Sequence, residues 1–143
     1  MSYKQTLQVF EVFDRVENAK TNQEKVELLQ KHNVHALRDV LRGTFDTVIE
    51  WNLPPGEPPY QANIPESVPS SLLKQHTQFK YFVKGPVSDG LTSVKREQMF
   101  IRLLEAIHPA DAKVVIKMIN NEQPSDSITK ELVEEAFPTL ILK

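Results

Sequence analysis

Four histidines, His32, His35, His76 and His108, are the side chains of this sequence that could move a proton or hold a metal near neutral pH. His32 and His35 are three residues apart and could share a helical face, but no carboxylate–histidine set with the spacing of a zinc hydrolase or a deaminase accompanies them. They read as helix-end or surface histidines. Cysteine is absent, which removes disulfides and thiolate metal sites and leaves a reducing compartment compatible. There is no G-x-x-x-x-G-K-[ST] loop, no G-x-S-x-G elbow and no G-x-G-x-x-G, and four glycines are too few for most phosphate cradles. The expectation is a protein that is not an enzyme, with no cofactor, no metal and no small-molecule substrate.

Charge offers a different chemistry. The total is nearly balanced, 17 basic against 19 acidic side chains, so binding to nucleic acid through bulk charge is not expected. The distribution is uneven: residues 74–117 carry 8 basic and 4 acidic groups, net +4, between two segments of −3 each. If Lys80, Lys84, Lys95, Arg96, Lys113 and Lys117 share one face, they could follow a phosphate backbone, helped by the free N–H groups at the start of the helix after Pro109. The competing reading, of at least equal weight, is an ordinary solvated surface whose charges pair locally.

The elements that must position these groups are helical. Leu7, Val9, Phe10, Phe13 and Val16 recur at intervals of three and four and define a first helix. Thr21-Asn22-Gln23-Glu24 has the form of a capping box, and the helix it opens runs to about His32 with Val26, Leu28 and Leu29 inward. A third helix uses Leu37, Val40, Leu41, Phe45 and Val48. It passes through Gly43, whose cost of about 1 kcal/mol in a helix interior points to close packing or a bend. A short apolar helix or turn spans Leu72 to Val83. Thr92 caps the next helix, with Val94, Met99, Phe100, Leu103, Leu104 and Ile107 inward, and Pro109 opens a helix packed by Ala112, Val115, Ile116 and Ile119. The last helix starts near Ser127 and ends before Pro138. With 143 residues and 40% hydrophobic content, the chain is expected to form an all-α, compact single-domain bundle of about six or seven helices, residues 1–143.

Between residues 52 and 70, Pro54, Pro55, Pro58, Pro59, Pro65 and Pro69 fix φ and remove donors, giving a long proline-rich loop. Two readings stand: a strap packed on the helices by Tyr60, Ile64 and Val68, which is favoured, or a mobile functional loop. No apolar run approaches the length of a membrane span and no signal-peptide pattern opens the chain, so a soluble, cytoplasmic protein without membrane contact is expected.

The run from Asn18 to Pro59, with ELLQKH, LRDVLRGTFD and then Val48, Ile49, Trp51 and Leu53-Pro54-Pro55-Gly56, resembles the start of the helical DNA-binding N-terminal domain of ATP-dependent DNA ligases, closest to that of T-even bacteriophages. The likeness extends through EQMFIRLLEAI and DAKVVIKMI to Phe137-Pro138-Thr139-Leu140-Ile141, and departs in the insert between Pro58 and Leu72. It implies a ligase N-terminal-domain-like fold and non-specific grip on duplex backbone. The adenylylating K-x-D-G motif of the catalytic core is missing, since Ser88-Asp89-Gly90 lacks the lysine. The chain as a whole also resembles an uncharacterised family of small T-even-type phage and cyanophage proteins, which implies a phage origin and a host cytoplasm. Two functions remain open. The first is a non-catalytic accessory protein binding duplex DNA without strong sequence specificity. The alternative is a protein-interaction module acting on phage replication or transcription machinery or a host factor through Tyr60, Ile64, Phe137, Leu140 and Leu142.

Overall fold

The computed structural model describes residues 6–141, and these form an all-helical domain. The helices are α1 (Val9–Asn18), α2 (Asn22–Lys31), α3 (His35–Phe45), α4 (Leu72–Gln75), α5 (Pro86–Asp89), α6 (Ser93–Leu104), α7 (Pro109–Ile119) and α8 (Lys130–Ala136), with a 3-10 segment His76–Tyr81 after α4. Six of these correspond to the helices expected from periodicity, and α4 and α5 are single turns of four residues. Threonine starts three of them. Thr21, Thr92 and Thr129 each accept a backbone N–H at 3.1 Å, from Glu24, Lys95 and Leu132, contacts worth about 1 kcal/mol apiece. The Glu24 carboxylate reaches Lys20 N rather than the cap itself, at 3.3 Å.

Helix α7 is the axle. Ala112, Val114, Val115, Met118 and Ile119 are buried, and α1, α3 and α6 pack around it. Helix α1 also meets α2, and α8 covers α2, so the two ends of the described chain share one core. Gly43 sets the α3–α7 approach: a Cβ there would lie 2.5 Å from Trp51 Cζ2 and 2.7 Å from Met118 Sδ. The Trp51 indole N–H donates to the Gly43 carbonyl at 2.9 Å and fixes the ring in that space. Close packing, one of the two roles the sequence allowed for this glycine, is thereby the one realised.

Two apolar positions fall outside the expected stripes, and one helix starts later than expected. Helix α3 stops at Phe45 because Asp46 turns the chain and accepts the Val48 N–H at 3.0 Å, which leaves Val48 61% exposed. Val94 sits in the first turn of α6, before the helix reaches the core, and is 64% exposed. The last helix begins at Lys130, because Thr129 and not Ser127 supplies the cap.

The proline-rich segment is a fastened strap. Gly56 and Asn120 exchange two hydrogen bonds, Gly56 N to Asn120 Oδ1 at 2.7 Å and Asn120 Nδ2 to Gly56 O at 3.1 Å. Gln61 N donates to the Glu105 carboxylate, and Asn63 Nδ2 donates to the carbonyls of Glu105 and Ile107. Leu53 and Tyr60 rest on the core, whereas Ile64 points away, 67% exposed. The strap is thus held largely by amides, which satisfy carbonyls left open where α6 ends.

One ionisable group lies deep in the interior. Asp111, in the first turn of α7, is fully buried; its Oδ1 accepts the Phe10 N–H at 2.9 Å and its Oδ2 has no hydrogen-bond partner. Burial raises its pKa to about 7, with the Glu11 charge adding to the rise and the Phe10 bond opposing it.

Candidate nucleic-acid interface

Helix α3 turns Leu37, Val40 and Leu41 into the core, which places Arg38, Asp39 and Arg42 on its outer flank. The 3-10 segment runs beside α3, and between them opens a cleft of about 210 Å³ lined by Asp39, Arg42, Trp51, His76, Phe79 and Lys80 among others. A short antiparallel bridge, Trp51 to Val83, closes one side, with Asn52 N bound to Phe82 O and Lys84 N to Glu50 O. Trp51 and Phe79 meet edge to face at 6.0 Å and form an aromatic wall.

His76 Nδ1 donates to Asp39 Oδ2 at 2.5 Å, joining elements 37 residues apart. The pair holds the imidazole in one orientation. Arg42 Nε is 3.9 Å from Asp46 Oδ2, a charge contact too long for a hydrogen bond. Arg42 and Lys80 line the cleft together with Asp39, and Asp46 lies behind Arg42, so two cations meet two carboxylates there. Chemically this is a small polar notch of mixed charge with a flat aromatic side.

The six basic residues expected to act together come from the 3-10 segment, the turn after it, α6 and α7. Lys80 alone among them lines the cleft. Lys84 follows the bridge and is exposed, and Lys95 is exposed in the first turn of α6. Lys113 and Lys117 lie one turn apart on the exposed flank of α7, and Lys117 Nζ contacts the Pro124 carbonyl at 3.4 Å. Arg96 is half-buried and turned onto the backbone. Its guanidinium donates through Nε to the Asn52 carbonyl (2.6 Å) and through Nη1 to the carbonyls of Ser88 and Leu91, so it clamps the bridge to α5 with three of its five donors. A basic residue in a first helical turn looks outward by periodicity, but open carbonyls of the preceding turn draw it back.

Sequence reasoning missed Arg38, Arg42, Asp39 and Trp51 as site residues. The available signal was the i, i+4 spacing of Arg38 and Arg42 opposite the Leu37–Leu41 stripe. Arg38 donates to Asn33 Oδ1 and to His35 Nδ1, which explains His35 as a local partner. His108 caps α7 by accepting the Ala110 N–H at 3.0 Å and stacks on Phe10 at 4.2 Å. Among the described residues no group of three or more His, Asp or Glu could hold a metal ion, and no helix is long and apolar enough to cross a membrane.

The residues of the interaction alternative divide. Phe137 and Leu140 are half-buried and, with Arg38 and Arg42, line a second opening of about 450 Å³. Tyr60 is half-buried on the strap, its phenol raised above its ordinary pKa by burial and then by the Glu57 charge. Leu142 lies outside the described residues.

A family model described as a family of unknown function, DUF6433, matches residues 12–124, which is most of the chain. No curated protein and no solved structure matches it.

Proposed function

We propose a function for this chain from its own surface, since it belongs to DUF6433, a family of unknown function. It is a non-catalytic protein that holds the backbone of duplex DNA without strong sequence preference, with Arg42 and Lys80 as the central phosphate contacts and Lys84 beside them. The single observation that carries the reading is the convergence of Arg42, from α3, and Lys80, from the 3-10 segment, on one cleft. Guanidinium and ammonium groups supply sequence-independent affinity to phosphates. The all-helical order and the arginines of LRDVLRGTFD also support the likeness to a ligase N-terminal domain, and with it a phage-encoded accessory protein of the host cytoplasm.

The test is a salt titration of binding to a short duplex. Each neutralised phosphate contributes about −0.9 to the slope of log affinity against log salt, so Arg42→Gln with Lys80→Gln should flatten the slope by roughly 1.8. If Lys113→Gln with Lys117→Gln flattens it and the cleft pair does not, the α7 flank is the contact and the cleft reading fails. Absence of binding at low salt overturns DNA binding altogether. In that event a protein partner at the exposed Ile64 and the opening beside Phe137 and Leu140 takes its place, favoured by the 67% exposure of Ile64 in an otherwise fastened strap.

A further inference from the structure

A second pocket, sharing no residue with the α3 cleft, lies beneath the strap. Leu53 and the prolines at 54, 55, 58 and 59 form one wall, and Phe100, Ile101 and Ile119 form the floor, enclosing about 320 Å³. That volume is at the lower end of small-ligand sites, and such sites are mostly apolar with a few placed polar groups. Here the polar groups are two carboxylates, Glu57 from the strap and Glu97 from α6. Neither has a hydrogen bond or ion pair among the described residues, and no cation lines the pocket.

The wall is preformed. Prolines fix the strap's φ angles, and the paired Gly56–Asn120 hydrogen bonds pin it to the end of α7. A rigid apolar slot edged by two carboxylates that have no protein partner disfavours most ligand classes by simple chemistry. Anions meet like charge. A divalent metal would need six or more oxygen ligands, and Glu57 and Glu97 are the only side chains lining the pocket that carry oxygen. A neutral hydrocarbon would make no use of either carboxylate. What satisfies floor and rim together is an apolar body carrying one positive head.

We propose that the pocket between the proline strap and α6–α7 is a binding site for a small apolar organic cation, an arylalkyl or alkyl ammonium, whose hydrocarbon part rests on Phe100, Ile101 and Ile119 and whose charge lies between Glu57 and Glu97. The site is independent of DNA binding.

The test uses the full chain with labelled isoleucine methyl groups and three isosteric probes: phenethylammonium, 2-phenylethanol and 3-phenylpropionate. Phenethylammonium should shift the Ile101 and Ile119 methyl signals saturably and bind about tenfold more tightly than the alcohol, a ratio in keeping with two partly exposed charge contacts. The carboxylate should not bind. Glu57→Gln with Glu97→Gln should bring ammonium and alcohol to equal affinity. Equal binding of the three probes to the wild-type chain, saturable shifts away from Ile101 and Ile119, or no response overturns the proposal. The charge series is run on the unmodified protein, so it decides between these outcomes even if the double variant does not fold.

Discussion

Replacing Asp111 by Asn should remove a pH dependence that the buried carboxyl imposes on the whole fold. An unfolded chain releases this proton near the ordinary carboxylate value of 3.8, whereas the folded protein keeps it until about pH 7. Because the folded pKa is the higher one, the folded state binds the extra proton between those two values. Stability from this group is therefore greatest at low pH and declines as pH rises, by about 1.4 kcal/mol per pH unit, to a plateau above about pH 7. Across the interval the loss approaches roughly 4 kcal/mol as an upper figure, a large share of the about 5–15 kcal/mol typical of a domain. Asn keeps an oxygen for the Phe10 N–H and leaves an unpaired amide where Oδ2 lies, at a pH-independent cost of about 1–3 kcal/mol. Urea unfolding followed by the single tryptophan, Trp51, at intervals from pH 5 to pH 8 measures both chains. The variant should be the less stable at pH 5 and gain steadily on the parent up to neutral pH. Glu17, whose pKa is lowered by the neighbouring Ser125 and Ser127 side chains, acts with the opposite sign below its ordinary value of 4.5, outside this interval, and is common to both proteins. A constant difference between the two across the whole range would refute the buried-proton account.

Gly43→Ala should destabilise by about 1–3 kcal/mol through overpacking, despite the better helix propensity, because the new methyl meets Trp51 and Met118 below 3 Å; a shift in Trp51 emission would accompany the lowered urea midpoint. Asn120→Ala should loosen the strap at a cost of about 1–2 kcal/mol, read as faster amide exchange at Gly56 with little change in α1 or α2. Thr129→Ala should cost about 1 kcal/mol and show first as fraying of α8 by helical circular dichroism and exchange.

The helices themselves were legible because each long one buries a stripe at its own period and most begin at a threonine or proline. Val48 and Val94 show where that logic stops. A stripe continues in sequence past the point where Asp46 has already turned the chain, or before α6 has reached its neighbours. The site was less legible for a related reason. Counting charge by segment singled out residues 74–117, yet Arg38 and Arg42 belong to the acidic first half. A folded surface is assembled from faces of separate elements, and the only trace of this one was a four-residue spacing on α3. The His76–Asp39 contact, across 37 residues, has no local signature. The bonds of Arg96 to three backbone carbonyls were not legible, because sequence does not mark such partners. The strap's fastening by Asn63 and Asn120 was hidden in the same way, since the expected anchors were apolar.

The pairing of α2 with α8 also governs how the protein is made. Residues 22–31 find their cover in residues 130–136, and Phe10 finds Asp111. At a synthesis rate of about 5–20 residues per second, roughly 5–20 seconds pass between the two helices leaving the ribosome. During that interval Leu29 and the inner stripe of α1 lack their final neighbours, so the nascent chain is held open to chaperones, proteases and its own kind. Such long-range closure favours one late, concerted folding step over gradual growth from the first helices.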